Sequence, residues 1–484
     1  MNTAVGRSVL HGIRGPAAVC ALLVLIRAGA AGAESFPARV VHADTRWEGT
    51  VSSDRDVAIM AAAVEVAPGT TIRFAGGTPS GEGPCILLNS PAVAAATAES
   101  ARLLLLGTPQ HPIVVETPAG YPPGAITAGP DTAASIVARH VIFRRLGAPQ
   151  GQGRARPAVF VQLAAPANDL WLSECRFEEC GPVHAEAIGP AASVEISRCT
   201  FQRTVGDRWL VLVGTGTGVK VVADNVAETG LLVQCPQVLL TGNVLIGETA
   251  SIAVGGEGFQ GLSVRGNYVH CTTAEDLGRY AVRCGNPGAV LENNVLIGGT
   301  YVVETAPSRV TGNVLIGRGG LKGRLDLPGL RTGLGEVQTT THHLIAEPPA
   351  QGVIRDNLLL GPAYAALVVT GGVRSLEVQN NVFDGWNAAR WAVRILRPES
   401  ASAVRFGGNA FGGYREGCLA AGPVEAGGAR RTGGAGEAGT EERPEGFVPL
   451  SAIQPAATQQ ALNAEDRLRT VSYTHLTLPT IYSV

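Results

Sequence analysis

The stretch Gly242-Asn243-Val244-Leu245-Ile246-Gly247 decides the fold, because it recurs along the chain. Close copies lie at 294–298 (NVLIG) and 312–317 (GNVLIG). Weaker copies lie at 356–361, 381–385 and 408–412. The residues in this phase are Cys175, Cys199, Asn225, Asn243, Asn267, Asn294, Asn313, Asn357, Asn381 and Asn409, with His140 as a weaker eleventh member. From Cys175 onward, successive members are 18 (225 to 243) to 28 (381 to 409) residues apart, with one step of 44 (313 to 357). Such a period indicates a repeat architecture.

Each repeat contains three short apolar runs, which favour strands over helices. One run precedes the phased asparagine, as in 237–240 (QVLL), a second follows it, and a third comes later, as in 280–283 (YAVR). The runs are rich in β-branched residues and are separated by turn residues. Stacked coils place equivalent residues ~4.8 Å apart, so the asparagine amides can bond one another in a ladder. Asparagine also tolerates the left-handed conformation of a sharp turn, and we expect no ligand role for these residues.

These repeats resemble the secreted right-handed parallel β-helix proteins of the pectin-lyase-like superfold. The resemblance covers about residues 40 to 415, and the phrases at 68–74 (PGTTIRF) and 107–113 (GTPQHPI) are similar to the opening coils of such proteins. It implies an all-β fold, a right-handed parallel β-helix solenoid with an N-terminal cap. The repeat spacing predicts about eleven coils. The resemblance implies little about activity, since one fold hosts many functions.

The chain divides into five predicted segments. Residues 1–33 are predicted to be a signal peptide, 34–120 the N-terminal cap and first coils, and 121–415 the regular coils of the parallel β-helix. Residues 416–470 form a Gly/Ala-rich linker and C-terminal segment, and 471–484 resemble the translation of a sequencing adapter. The 44-residue step is predicted to be one coil that carries a long loop at about 317–340.

The N-terminus predicts export. Arg7 and Arg14 supply positive charge, Ala17 to Ile26 an apolar core, and Ala31-Gly32-Ala33 a small-residue cleavage site. The apolar core is too short to span a bilayer, and no later run reaches ~18 apolar residues. We therefore expect a secreted, periplasmic or cell-surface protein without a transmembrane segment.

Eight cysteines follow the predicted signal peptide: Cys85, Cys175, Cys180, Cys199, Cys235, Cys271, Cys284 and Cys418. An even number in an exported chain is compatible with disulfides. Cys175 and Cys199 share the ladder phase, at a separation that suits either a disulfide or two free thiols. The spacing matches no zinc pattern. We favour buried free thiols, because free cysteine packs as a small hydrophobe.

Composition and motifs exclude several functions. The chain has 484 residues and a formal net charge of −2, which gives no electrostatic basis for nucleic-acid binding. The GxGxxG match at 256–261 precedes a predicted strand instead of a helix, which argues against a dinucleotide site. No HExxH, P-loop or GxSxG motif occurs. The sequence therefore predicts no cofactor and no metal.

The motifs of known enzymes with this fold are also absent. Galacturonan hydrolases carry Asn-Thr-Asp, Asp-Asp and His-Gly on neighbouring strands, where paired carboxylates assist cleavage. Pectate lyases carry clustered aspartates for calcium and an arginine base. The chain after residue 33 has none of these motifs, and its aspartates are mostly single. The sequence thus predicts no catalytic residue.

The remaining candidate is one face of the solenoid. In this fold ligands usually lie along the first strand of each coil, beside long loops. The candidate substrate-binding residues there are Gln234, Arg283, Glu304, Lys322, His342, His343 and Arg394. Arginine forks suit the carboxylates of acidic sugars, and Trp386 and Trp391 could stack on sugar rings. Alternatively, these residues are the ordinary polar half of alternating strands. Adjacent histidines on a strand point to opposite faces, which disfavours a metal site.

Two functions stay open at this point. The first is an exported surface or periplasmic protein that is not catalytic and binds polysaccharide along one face. The second is a divergent polysaccharide lyase or glycoside hydrolase that acts on acidic polysaccharide, with carboxylates or His342 and His343 near the long loop. The missing motifs favour the first. The ligand and the oligomeric state are not determined by the sequence.

Overall fold

The computed structural model describes residues 39–77, 83–89, 100–128, 133–147, 149–150, 154–163, 169–255, 259–272, 280–285, 288–298, 301–305, 309–317, 342–346, 351–361, 363, 365–421 and 447–449. In this part of the chain each coil contributes one strand to each of three parallel sheets. We number the sheets 1, 2 and 3 in the order in which a coil visits them. The predicted right-handed parallel β-helix is confirmed.

Sheet 1 consists of β1 (Arg39–Val41), β4 (Val57–Ile59), β7 (Cys85–Leu88), β10 (Ala125–Ala128), β15 (Val159–Leu163), β18 (Val183–Ala187), β21 (Arg208–Val213), β24 (Gly230–Gln234), β27 (Ile252–Val254), β30 (Tyr280–Cys284), β33 (Tyr301–Thr305), β36 (His342–Ala346) and β39 (Ala365–Val369). Sheet 2 consists of β2 (Thr45–Trp47), β5 (Ala63–Val66), β8 (Ala101–Leu106), β11 (Ala134–Arg139), β16 (Asp169–Ser173), β19 (Ser193–Ser197), β22 (Lys220–Ala223), β25 (Val238–Thr241), β28 (Leu262–Arg265), β31 (Val290–Glu292), β34 (Arg309–Thr311), β37 (Gln351–Arg355), β40 (Ser375–Gln379) and β42 (Val404–Gly407).

Sheet 3 consists of β3 (Thr50–Ser53), β6 (Thr71–Phe74), β9 (Ile113–Glu116), β12 (Val141–Arg144), β17 (Arg176–Glu178), β20 (Thr200–Gln202), β23 (Val226–Ala227), β26 (Val244–Gly247), β29 (Tyr268–Cys271), β32 (Val295–Ile297), β35 (Val314–Ile316) and β38 (Leu358–Leu360). Two long strands, β41 (Val382–Ile395) and β43 (Asn409–Ala421), pass from sheet 3 into sheet 1 and join them, and β44 (Phe447–Pro449) pairs with β43. A hairpin of β13 (Pro149–Gln150) and β14 (Arg154–Ala155) and a 3-10 helix (Pro398–Ala403) complete the elements.

The number of coils exceeds the expectation of about eleven. Sheet 2 has fourteen strands in the described residues, one for each coil. The additional coils are those of β2, β5 and β8, which precede the phased residues from which the coils were counted. The 44-residue step is one coil, as predicted, because β35 pairs directly with β38 and Asn313 bonds Asn357. The predicted loop of that coil, including 318–341, lies outside the described residues.

The core is a column of inward side chains with matched register. Along sheet 3, Phe143, Phe177 and Phe201 stack at ring-centroid separations of 4.6 Å, and Trp209 of sheet 1 continues the column 4.2 Å from Phe201. Such stacking adds to the burial of aromatic surface. All four side chains are almost fully buried. Period-two alternation in the sequence therefore gives one apolar face per strand, turned into the solenoid.

The asparagine ladder exists and is buried. From Asn225 to Asn381, each side-chain Nδ2 donates to the Oδ1 of the next asparagine along the axis, ending at Asn409, at 2.9–3.0 Å. Each Nδ2 also donates to a backbone carbonyl, and each Oδ1 from Asn243 to Asn409 accepts from the backbone N–H of the preceding asparagine. Cys199 occupies the equivalent position in the coil before Asn225, and its backbone N–H donates to Asn225 Oδ1 at 2.9 Å.

The left-handed turn residue is not the ladder asparagine but the residue before it. Positive φ occurs at Asp224, Gly242, Gly266, Asn293, Gly312, Asp356, Asn380 and Gly408. Each of these immediately precedes a ladder asparagine, which is why short polar residues and glycine recur there. The expectation that the phased asparagines themselves take the left-handed conformation was wrong. Their side chains serve the ladder, and their neighbours make the turn.

The cysteines are free and buried, as predicted. Cys175 and Cys199 donate to backbone carbonyls near their own strands, and burial raises the pKa of the Cys199 thiol well above its ordinary value.

Lys220 is an unexpected core residue. Its side chain is fully buried, and Nζ donates to Gly216 O and to Pro236 O. Burial lowers the pKa of its ammonium group.

The outer face of sheet 3 carries a line of alternating charges in its first half. Arg73 Nη2 donates to Glu116 Oε1 at 2.9 Å, Arg144 Nη1 to Glu116 Oε2 at 3.4 Å, and Arg144 Nε to Glu178 Oε2 at 2.8 Å. These residues are partners in the strand register, so one coil's carboxylate lies between two guanidiniums. The hydrogen bond that Arg144 donates to Glu178 is the main cause that raises the pKa of Arg144.

Within the described residues no helix is long and apolar enough to cross a membrane. The predicted signal peptide and the predicted adapter-like terminus both lie outside those residues, so export stays a prediction.

Candidate functional site

Strand register in sheet 1 aligns the backbone positions of several candidate residues in two rows. The row that we call the aromatic row runs along the axis through Tyr280, Tyr301, His342, Ala365 and Trp391. The row that we call the charged row runs through Ala253, Arg283, Glu304, Ile345, Val368 and Arg394. Register between coils, at ~4.8 Å per step, thus brings together residues that are far apart in the sequence.

Arg283 and Glu304 form one unit with Tyr280. The guanidinium Nε of Arg283 lies 3.4 Å from Oε1 of Glu304 in the next coil. The Cζ atom of Arg283 lies 5.7 Å from the centroid of the Tyr280 ring, within the range of a cation–π contact. The Arg283 side chain is 51% exposed, whereas that of Glu304 is 13% exposed. The Arg283 guanidinium is therefore already paired with a carboxylate, that of Glu304.

The same arrangement recurs four coils further along the axis. Arg394 Cζ lies 5.6 Å from the centroid of the Trp391 ring, at the register positions that Arg283 and Tyr280 occupy. Here the arginine is buried and the tryptophan half-buried. Arg394 lies three coil steps, ~14 Å, from Glu304. Arg394 therefore belongs to the same face but not to the Arg283–Glu304 unit, and its burial removes it as an exposed contact.

The other candidates are placed as follows. Gln234 is exposed at the end of β24, next to Gly255 of the following coil, and lies two coils before Arg283. His342 begins β36 in the aromatic row, and His343 follows it. Lys322 lies outside the described residues. Trp386 is exposed at the bend of β41 and packs near Gly361, away from both rows.

A cleft opens beside the start of the aromatic row and is lined mainly by residues of two turns. Residues 203–207, 228–229 and 248–251 connect sheet 3 to sheet 1 in three successive coils, and the middle connection is the shortest. The 248–251 turn packs closely against Gly230 at the start of β24, where a Cβ would meet Ser251 Oγ at 2.5 Å. The cleft has a volume of about 170 Å³ and is lined by Asp207, Arg208, Glu248, Thr249, Ala250, Ser251, Cys271 and Tyr280. It can enclose roughly one sugar unit, since sites for larger ligands are several times bigger.

The cleft is polar at its rim. Arg208 Nη1 donates to Leu231 O at 3.3 Å, and its Nε lies 3.9 Å from Asp207 Oδ2. The Asp207 side chain is 73% exposed, and Glu248 is also exposed. Tyr280 both lines the cleft and begins the aromatic row, so cleft and row form one continuous surface.

Sequence reasoning missed Asp207, Arg208 and Glu248. They lie in turns of irregular length, and no motif marks them. The available signal was the alternation of longer and shorter turns in consecutive coils. Within the described ranges, no three His, Cys, Asp or Glu residues are grouped closely enough to hold a metal ion.

Comparisons with known proteins add a likeness of fold. No family model matches the chain, and no curated protein matches it. Among solved structures, the chain is similar to a mannuronic acid specific polysaccharide family 6 lyase enzyme from human gut microbiota. The identity is 13%, the match covers 89% of this chain and 95% of that chain, and the TM-score is 0.37. The mannuronic acid specificity belongs to that enzyme. The class to which this chain belongs, a parallel β-helix, is defined by its own sheet topology.

Proposed function

We propose that this β-helix protein binds a linear polysaccharide along the outer face of sheet 1, with the cleft as one end of the site. The observation that carries the proposal is the position of Tyr280, which lines the cleft and starts the aromatic row. Aromatic rings offer flat apolar surfaces to sugar rings, and polar groups around them offer hydrogen bonds to hydroxyls. A surface with one register position per coil suits a ligand that is itself a repeating chain.

The predicted signal peptide fits this function. An exported protein meets polysaccharides of the cell envelope or the surroundings, and the fold supplies a long straight surface. Concave or elongated faces of solenoids are commonly used for binding. We therefore propose a secreted, periplasmic or surface location together with the binding function.

Chain-length dependence of affinity tests the proposal. The aromatic row spans four coil steps from Tyr280 to Trp391, ~19 Å. Affinity of a bound oligosaccharide should therefore rise with its length until it covers that span, and then level off. Isothermal titration with a length series of each glycan that binds would measure this. Affinity that is independent of length from the disaccharide upward would contradict binding along the row.

Substitution of Tyr280 locates the site. Tyr280→Ala should weaken binding about tenfold or more, because a central aromatic contact typically contributes 1.4 kcal/mol or more. Tyr280→Phe should retain most of the affinity if the ring face makes the contact. The matched control is Trp171→Ala, since Trp171 is 47% exposed on the outer face of sheet 2. Equal losses in the Tyr280→Ala and Trp171→Ala variants would place the ligand elsewhere.

Glycoside cleavage is a second candidate, favoured by two carboxylates in one cleft. Asp207 and Glu248 come from turns two coils apart, ~10 Å along the axis. Inverting glycosidases hold their two carboxyl groups at roughly 6.5–9.5 Å. If the cleft cleaves glycans, new reducing ends should appear on incubation and should be lost in both Asp207→Asn and Glu248→Gln. Binding without new reducing ends would contradict cleavage and support only the binding function.

A further inference from the structure

The charges at the site suggest which class of polysaccharide it takes. Among the described residues that line or border the cleft, Asp207, Glu248 and Glu304 carry three negative charges. Arg208 and Arg283 carry two positive charges. The formal charge of these five residues is therefore −1. Arg394, at the far end of the row, is buried over the Trp391 ring and is not part of this group.

Both guanidiniums also have protein partners. Arg283 lies beside Glu304 at 3.4 Å and over the Tyr280 ring. Arg208 donates to Leu231 O at 3.3 Å and lies 3.9 Å from Asp207. A bidentate contact to a ligand carboxylate needs the fork of an arginine turned towards the ligand. Here a uronate would have to compete with Glu304 or Asp207 for that fork.

The three carboxylates suit a different ligand. An ionised carboxylate only accepts hydrogen bonds, and sugar hydroxyls are donors. Hydrogen bonds with a charged partner are the stronger ones. A ligand carboxylate brought near the same groups would be repelled, because like charges disfavour each other at close range.

We propose, on the basis of the polysaccharide binding proposed above, that the site selects a neutral, hydroxyl-rich glycan over a polyuronate. Tyr280 supplies the apolar platform, and Asp207, Glu248 and Glu304 accept hydrogen bonds from hydroxyls. Arg283 and Arg208 hold Glu304 and Asp207 in place instead of reading acidic groups on the ligand. This differs from the sequence-based expectation that the arginines bind acidic sugars.

A matched pair of polymers tests the selection. One is a polyuronate, and the other is the neutral polymer made from it by chemical reduction of its carboxyl groups, with the same linkage and length. Affinity for each would be measured by titration with the full chain, at about 0.01 M ionic strength, where charges act over roughly 30 Å, and again at about 1 M, where they are screened within ~3 Å. We expect the neutral polymer to bind at least tenfold tighter at low salt and the difference to shrink at high salt.

Charge-removing variants sharpen the test. Asp207→Asn and Glu304→Gln should each narrow the gap between the two polymers, mainly by strengthening polyuronate binding. Glu399→Gln is the control, because Glu399 is an exposed carboxylate in the 3-10 helix, outside the cleft and both rows. It should leave the ratio of affinities unchanged.

The outcomes separate the two proposals. Tighter binding of the polyuronate, weakened by salt, would overturn the selection for neutral glycans but keep polysaccharide binding. No binding of either polymer, or of neutral glycans from other sources, would overturn the proposed function itself. Equal binding of both polymers at low salt would also overturn the selection.

Discussion

Removal of Asn313 from the ladder should be among the most destabilising single changes in the described part of the chain. Its Nδ2 donates to Asn357 Oδ1 at 2.9 Å and to Leu291 O at 3.0 Å. Its Oδ1 accepts from Asn294 Nδ2 at 2.9 Å and from Asn294 N–H at 3.0 Å. All of these groups are buried, because Asn294, Asn313 and Asn357 are at most 1% exposed.

The magnitude follows from those bonds. A net contribution of about 1 kcal/mol for each of the four bonds gives ~4 kcal/mol. Alanine in addition leaves the buried Asn294 N–H without that acceptor, which costs about 1–3 kcal/mol. We therefore expect Asn313→Ala to lower the free energy of unfolding by about 5–7 kcal/mol. Substitution of an exposed residue typically changes it by less than ~0.5 kcal/mol.

Two measurements check this expectation. Urea denaturation followed by far-UV circular dichroism gives the stability of the block of coils that contains Asn313, since a solenoid can unfold in blocks. Hydrogen exchange resolves the location, since the Asn294 amide should lose protection together with its neighbouring coils. Asn293→Gly is the control, because Asn293 has a φ of 56° and glycine takes that conformation readily. If Asn313→Ala cost no more than about 1 kcal/mol, the ladder would be a by-product of turn formation and the reasoning would fail.

Three further changes test the core and the charged line on sheet 3. Burial lowers the pKa of Lys220 in the folded protein. Between that lowered value and ~10.4 the unfolded chain therefore binds more protons than the folded chain, and the free energy of unfolding rises with pH. Lys220→Met should abolish this rise. The difference between wild type and variant across pH 8 to 10.5 isolates this effect from buried thiols such as Cys235, whose pKa burial raises to about 12 and which act in the opposite direction; parallel curves would contradict it. Glu178→Gln should lower the free energy of unfolding by about 1–3 kcal/mol, because it removes the negative charge that Arg144 contacts at 2.8 Å. The loss should be smaller at high salt, where charges are screened. A loss that salt does not alter would argue against an electrostatic origin. Phe177→Ala should cost about 3–5 kcal/mol in denaturation, because the ring lies between two others at 4.6 Å, and a cost below ~1 kcal/mol would mean that the column repacks.

The sequence by itself determined the solenoid. The recurring Gly-Asn-Val-Leu-Ile-Gly phrase, period-two alternation and turn residues predict stacked coils of short strands, because each strand must bury one face and no helix period competes. The same phase predicts the asparagine ladder and the single coil that spans Asn313 to Asn357. The packing preference of cysteine, and not the phase, predicts the buried thiols. It assigned the left-handed turn to the wrong residue, because adjacent positions in a turn are not distinguished by composition alone.

The tertiary structure decided the site. Coils differ in length, so the register that brings Arg283 beside Glu304, or Tyr280 in line with Trp391, cannot be counted from the sequence. The cleft is lined by residues from coils that are far apart in the sequence, and these residues share no motif. Burial also changes chemistry that the sequence presents as equal: Arg283 is exposed and paired with a carboxylate, whereas Arg394 is buried beside Trp391. The repeats can be recognised from short stretches of sequence, and they determine the fold. The site depends on which side chains come into contact when coils of unequal length stack along the axis.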